Sequence, residues 1–304
     1  MAIVAVGSLA FDSINTSKGK RERVLGGSLT HFASAASFLS RPDMVGVVGG
    51  DFRDSDWDFI KSKANSIEGI EILKDEKCFF WEGVYSDDFE KRDTLKTELN
   101  AFAKFDPMVP LSYRAKGPFI LFLANIDPVI QKKVVDQSRE SNLRILDTMN
   151  YWISSKPKEL NQVLDSVEGI IVNEEEAFQL TGEKNIVRAA DRMFRPHFKM
   201  IIVKKGANGV MVFGKNFIVS LPAFPLKDIT DPTGAGDSFA GAFISWLDRH
   251  GRKYDQVTLK NAAAYATVVA SFAVEDFGVE GLNGISKNDI NKRLNQFRRI
   301  SAFK

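Results

Sequence analysis

In the stretch DPTGAGDSFAGAF, Asp231 to Phe243, two glycines and an acid stand at the mouth of an apolar helix. Pro232 and Gly234 hold the helix off, and Phe239, Ala240, Phe243, Ile244 and Leu247 then recur at helical spacing, so the helix is predicted to begin at Ala235 to Asp237. The first amides of a helix lack intrahelical acceptors and lie at the positive end of its dipole, which makes this a natural anion site. Asp237 shares that turn. A carboxylate that takes the proton of an attacking hydroxyl, beside backbone donors that hold developing phosphoryl charge, is what phosphoryl transfer requires. On this reading Asp237 is a general base, and Gly234, Ala235 and Gly236 form the anion hole. The plainer account, in which Asp237 only offsets the helix dipole, is worth about 0.3–1 kcal/mol. It leaves Thr-Gly-Ala-Gly ahead of the acid without a reason.

Such a turn has to be held by a scaffold. The chain has 304 residues, 44% hydrophobic and 26% charged, enough for one large domain with a sizeable core. From residue 117 the blocks PFILFLA, LRILDTM, EGIIVN and KMIIVKKG alternate with helix-length segments, followed by GVMVFG. Compact apolar blocks of this kind are strands buried on both faces of a parallel sheet covered by helices. VAVGS and MVGVVGG fit the same sheet, which gives an α/β, three-layer αβα architecture. Two stretches break the alternation, a polar ribbon within residues 13–25 and the aromatic-then-polar segment 78–106. They are expected to form a small β-rich lid on a single domain spanning 1–304, or else a surface hairpin without a role.

Charge and composition exclude several classes. With 41 basic and 39 acidic side chains, the formal net charge is +2, so neither nucleic acid nor an anionic membrane is an expected partner. Cys78 is the single cysteine, so there is no internal disulfide or cysteine-rich metal site, and a reducing cytoplasm is the expected compartment. The first residues read as a buried strand rather than a signal peptide, and no run approaches the roughly 18 to 20 apolar residues of a spanning helix. GVMVFGKN nearly has Walker A spacing, but its Val-Met-Val-Phe interior reads as a strand rather than a phosphate cradle.

The glycine-turn stretch resembles the C-terminal signature of the ribokinase-like (PfkB) carbohydrate kinases, D-T-x-G-A-G-D, with Pro232 where many members have Thr. Other segments agree in order over essentially the whole chain: VGSLAFDSI with Asp12, LGGSLTHFASAASFLS, VGVVGGDF, NEEEAFQLTG with Asn173 and Glu176, and VKKGANG with Gly206 and Gly209. The resemblance implies a ribokinase-like fold and ATP-dependent phosphorylation of a hydroxyl on a sugar or polyol. Asp12, Gly26 and Gly27 would hold the acceptor, and Asn173, Lys204, Gly206 and Gly209 the nucleotide. Glu176 would arrange Mg²⁺ through water. A monovalent cation, K⁺, is expected beside Asp231 and the 277–281 loop, and a homodimer through the lid is the expected assembly. His31 stands where ribokinases carry a sugar-binding Asn, and DTMNYWI at 147–153 replaces a D-P-N-x-R type, so ribose is not the expected substrate.

Several assignments keep two readings. His31 either meets the ligand or is a structural core residue, and Asp12, read as ending a strand, either binds hydroxyls or caps a turn. RDTLKTELN, residues 92–100, either offers Arg92, Asp93, Thr94 and Asn100 to the acceptor or is a solvated amphipathic helix. Asn261, at the opening of the alanine-rich helix, either meets the base or ribose of the nucleotide or is an N-cap. A nucleoside kinase, with Phe11 or Phe80 stacking on a base, is the nearest alternative function. A catalytically silent relative would have lost Asp237 or the glycine turn, and both are present.

Overall fold

The computed structural model describes residues 2–89 and 91–302; Glu90 of the expected lid and the ends of the expected 1–304 domain lie outside them. In chain order the strands are β1 (Ala2–Val6), β2 (Ala10–Thr16), β3 (Gly19–Gly26), β4 (Asp43–Gly49), β5 (Ser66–Leu73), β6 (Phe79–Tyr85) and β7 (Arg92–Glu98). They continue with β8 (Phe119–Leu123), β9 (Ser141–Asp147), β10 (Gly169–Asn173), β11 (Met200–Lys204), β12 (Val210–Gly214) and β13 (Phe217–Leu221). Nine of them form one sheet in the order β13-β12-β11-β10-β9-β8-β1-β4-β5. It is parallel from β11 to β5 and antiparallel at β11–β12–β13.

The period-two geometry of a strand explains the three layers. In β1, Ile3 and Ala5 join the apolar core on one face while Val4 and Val6 join the core on the other; in β11, Met200 and Ile202 part from Ile201 and Val203 in the same way. One core is closed by the helices Ser28–Ala36, Ala235–Arg249 and Gln256–Ala273. The other is closed by Pro128–Gln137, Pro157–Leu164 and Ile186–Met193. Strands buried on both faces therefore read as continuous apolar blocks, which is why most of them are legible in the sequence. SIEGIEIL is not such a block; β5 is the sheet edge and is only partly buried.

The remaining four strands form a second sheet, β3-β2-β6-β7, with β2–β6 parallel and the outer pairs antiparallel. Residues 92–98 of the RDTLKTELN stretch are strand β7, exposed along its whole length, and not a helix. Asp12 likewise sits inside β2 of this small sheet and does not end a strand of the large one. A minor core of Ile14, Tyr85 and Phe277, with Val24 and Trp81 against it, joins the small sheet to the loop after the alanine-rich helix. Among the described residues no helix is long and apolar enough to cross a membrane.

Candidate active site

Three neighbouring strands end side by side and deliver chemistry. Ladder pairing sets Asn173 of β10 opposite Lys204 of β11, and Ile171 opposite Asp147 of β9. The carboxyl ends of an open parallel sheet are where ligands bind in α/β folds. Across them comes the N-terminus of helix Ala235–Arg249, whose N-cap Gly234 has φ 71 and no side-chain cap. A side chain would be strained there, and a Cβ would also lie 2.2–2.4 Å from atoms of the His31 ring. Ala235 N–H donates to the Pro232 carbonyl at 3.2 Å, which closes the turn. The amides of Gly236 and Asp237 have no acceptor among the described residues. Of the expected anion hole, Gly234 is the N-cap of the helix, Ala235 has its amide spent, Gly236 keeps a free amide, and Asp237's own amide joins it.

The electrostatics converge on Lys204. Its Nζ lies 3.3 Å from Asp147 Oδ2, and a Cβ added to Gly236 would be 2.8 Å from Nζ, so the ammonium rests against the glycine turn. Burial opposes the Lys204 charge, but the carboxylates of Asp147, Glu176 and Asp237 outweigh it and hold its pKa above the ordinary value. Asp237 is pushed up to about 8, first by burial and then by the Asp147 charge, with Lys204 acting against both. Burial, aided by Asp147, likewise lifts Glu176 to about 7. A partly buried base whose pKa lies near neutrality is suited to accept a proton.

Asn173 and Glu176 form a capping box. Glu176 N–H donates to Asn173 Oδ1 at 2.8 Å and Asn173 N–H donates to Glu176 Oε2 at 2.7 Å. The pattern N-x-x-E therefore has a local helix-starting job whatever else it does. Among the described residues no cluster of three or more His, Cys, Asp or Glu is arranged to hold a metal. Mg²⁺ needs less, because it keeps several waters and takes one or two carboxylates plus phosphate oxygens. The hard oxygen donors of Glu176, with Oε1 outside the capping box, fit it in that way. Asp231 Oδ1 accepts from Thr233 N–H at 2.8 Å and Oδ2 from Gly278 N–H at 2.9 Å. It staples the glycine turn to the 277–281 loop, and the K⁺ expectation gains no support from that geometry.

On the expected nucleotide side, Gly206 is open, with φ 53 and nothing where its Cβ would be. Gly209 instead turns the chain into β12, its carbonyl accepting from Lys205 N–H at 2.8 Å. GVMVFGKN is a strand and its turn, as expected. Asn261 does not open the alanine-rich helix. Asp255 caps that helix, accepting from Thr258 N–H at 2.8 Å, and Asn261 is exposed on its second turn.

On the expected acceptor side, Asp12 is 5% exposed. Burial and the nearby Asp231 charge raise it to about 7, against the Gly27 amide and Arg92. Gly26 gives it room, since a Cβ there would lie 2.0 Å from Asp12 Oδ2. Gly27 caps helix Ser28–Ala36. His31 is buried, kept neutral with its pKa pulled down to about 4, and packs under Gly234; its Nε2 has no partner. This geometry gives His31 a supporting role in the turn. Arg92, though exposed, sends its charge to Asp12, Glu176 and Asp237. Thr94 accepts from Trp81 Nε1 at 3.2 Å, and Asp93 is exposed on the same edge strand. Asn100 belongs elsewhere. Its amide donates to the Cys78 carbonyl at 2.9 Å and fixes the return of the chain. Phe11 is 1% exposed with Arg23 and Arg53 over its ring, so it offers no stacking face; Phe80 is only half-buried.

Two residues of the site escaped sequence reasoning. Asp147 was visible only as a departure from a motif, yet an acid ending a buried strand was a usable signal. Tyr85 gave none. Its hydroxyl lies 3.0 Å from Thr233 Oγ1 and ties the small sheet directly to the glycine turn.

Comparison with known proteins follows the same lines. The profile of the pfkB family carbohydrate kinases matches residues 114–283. The chain is 25% identical over 253 residues to the cytidine kinase of Thermococcus kodakarensis, covering 81% of this chain and 88% of that one. It is 36% identical to the probable fructokinase-2 of Arabidopsis thaliana, but over only 91 residues, 30% of this chain and 27% of that one. Among solved structures, the Burkholderia thailandensis nucleoside kinase in complex with inosine superposes with a TM-score of 0.78 at 18% identity, over 97% of this chain and 98% of that one. An Escherichia coli protein described as a ribokinase II, in complex with ATP and Mg²⁺, gives 0.77 at 19% identity, over 97% and 99%. These likenesses establish the three-layer fold.

Proposed function

The chain belongs to the pfkB family of carbohydrate kinases and is a phosphotransferase, and on that premise we propose that it moves the γ-phosphoryl group of ATP to a hydroxyl of a sugar or sugar-containing small molecule. Asp237 takes the proton of the acceptor hydroxyl. The freed oxygen attacks the γ-phosphorus, and the bond to the ADP oxygen breaks with its electron pair leaving on ADP. The Gly236 and Asp237 amides receive the charge on the transferring group, with Gly234 and Ala235 shaping the turn. The strand end and loop from Lys204 through Gly206 to Gly209 line the nucleotide. Glu176 would hold Mg²⁺, whose positive charge would offset that of the phosphate oxygens. Asp12 accepts hydrogen bonds from acceptor hydroxyls, Arg92 adds positive charge on that side, His31 supports the glycine turn from beneath, and the small sheet serves as lid.

One observation carries this reading: a carboxylate with its pKa raised to about 8 shares a helix turn with the Gly236 and Asp237 amides, which have no acceptor among the described residues. The test is ADP release over a panel of sugars and nucleosides with MgATP. Turnover no higher than with ATP alone across the panel, for a folded protein, would reject the proposal.

A second reading makes the acceptor the ribose of a nucleoside. It is favoured by the extent of the likeness, since the cytidine kinase matches 81% of the chain whereas the fructokinase matches 30%. Half-buried Phe80 would stack on the base. Preference for cytidine or inosine over fructose and free ribose in the panel supports it, and the reverse order rejects it.

A further inference from the structure

Lys204 was expected only to line the nucleotide, but it sits against the glycine turn. Lysine in a protein interior needs a reason, because removing an ammonium from water is costly unless charge and hydrogen bonds compensate. Compensation by charge is plentiful here, with Asp147, Glu176 and Asp237 all raising its pKa. Compensation by hydrogen bonds is not. An ammonium has three donors, and among the described residues Lys204 Nζ makes one bond, the 3.3 Å contact to Asp147 Oδ2. Asp147 Oδ1 is itself engaged by the Thr148 amide at 2.7 Å, so the two groups meet through single atoms rather than as a saturated pair.

The position of the ammonium is equally specific. A Cβ on Gly236 would stand 2.8 Å from Nζ and 3.6 Å from Cε, so Nζ is the part of the side chain nearest the turn. It therefore borders the spot served by the Gly236 and Asp237 amides. Gly206, where the loop opens away from the strand end, has no atoms crowding it. A lysine that only lined the nucleotide would have no need to reach the glycine turn.

From this geometry we propose that Lys204 is a catalytic residue that donates to the transferring phosphoryl group, and that Asp147 is the positioning residue that aims it. The inference deepens the kinase reading and rests on it. Lys204 keeps its protons throughout. The proton of the acceptor goes to Asp237 and the electron pair leaves with ADP, while the ammonium offsets negative charge on the oxygens in flight. The arrangement also gives a reason for the glycine at 236, since a side chain there would push the ammonium away.

The test compares wild type, Lys204→Met, Lys204→Arg and Asp147→Asn in two measurements. One is kcat with whichever panel acceptor gives the highest turnover; the other is the affinity for MgADP, alone and with aluminium fluoride plus that acceptor as a mimic of the group in flight. Lys204→Met is expected to lower kcat about 10²–10³-fold, the range for loss of one transition-state donor. MgADP affinity should stay within about threefold and the gain from aluminium fluoride should vanish. Lys204→Arg, which keeps the charge, should recover at least about tenfold in kcat, and Asp147→Asn should fall between them. Should Lys204→Met not fold, the Arg and Asn variants carry the same two measurements. A weakened MgADP affinity with kcat and the fluoride gain intact would return Lys204 to a lining role and overturn the proposal. So would unchanged values throughout. A folded wild type inactive on the whole panel would instead remove the kinase reading, and this inference with it.

Discussion

The carboxyl edge of the large sheet and the small four-stranded sheet handle their functional side chains in opposite ways. At the edge, Asp147 and Lys204 end strands buried between two cores, and Asp237 stands on a helix that closes one of them. In the small sheet, β7 is exposed along its length and Arg92 reaches the site from an edge strand, with a minor core of three buried residues beneath. Group transfer tolerates little misplacement, and on the proposed reading its residues stand on rigid elements. The acceptor recognition proposed for the small sheet suits its marginal packing, because closing over a ligand requires local stability low enough to open again.

The largest effect expected from that contrast is at Asp237. Asp237→Asn keeps the size of the side chain and removes its basicity, so kcat should fall by about two to four orders of magnitude with nucleotide affinity nearly unchanged. A pH series adds an independent check. The folded chain holds the Asp237 proton up to about 8, against 3.8 for the ordinary group, so ionisation costs folded-state stability progressively as pH rises through that window. Asn removes this cost. The variant should melt above wild type at pH 8, and the gap should close by about pH 4.

Next comes Gly236→Val, which places a branched side chain 2.8 Å from Lys204 Nζ, where backbone and ammonium meet. Phosphoryl transfer should drop by about 10²–10³-fold even at saturating acceptor. An active, folded variant would show that close approach at this turn is unnecessary.

Asp12→Ala probes the small sheet. Charge-assisted hydrogen bonds are worth about 1.5–3 kcal/mol each, so the acceptor KM should rise roughly 10- to 100-fold while ATP binding holds. A change in ATP affinity instead would move Asp12 to the edge's half of the comparison.

Tyr85→Phe cuts the side-chain hydrogen bond between Tyr85 of the small sheet and Thr233. A neutral bond is worth about 0.5–1.5 kcal/mol, so the acceptor KM should rise by no more than roughly tenfold. An equal loss in kcat at saturation would mean that the latch orders the glycine turn as well. The smallest effects separate Arg92 from Asn100. Arg92→Ala should raise the acceptor KM a few-fold, whereas Asn100→Ala, which loses the bond to the Cys78 carbonyl, should lower the melting temperature and leave kinetics alone. Matching kinetic effects would return Asn100 to the acceptor site.

The sequence by itself determined the parallel sheet, the start of the Ala235–Arg249 helix and the identity of the acid in its first turn. Those features depend on local pattern: apolar blocks mark strands buried on both faces, and Pro-x-Gly-x-Gly before an apolar stripe marks a helix mouth. Residues 92–98 were ambiguous for the same reason. An exposed edge strand has no buried face to impose a period, so its pattern also fits a solvated helix. Only the tertiary structure decided that Asp12 belongs to the small sheet, that Asn100 and Asp231 are occupied with backbone, and that Lys204 and Asp147 meet at the glycine turn. Asp147, Lys204 and Gly236 lie on separate elements far apart in the chain. Their meeting is set by strand order and ladder register, which are properties of how strands pair and not of any segment read alone.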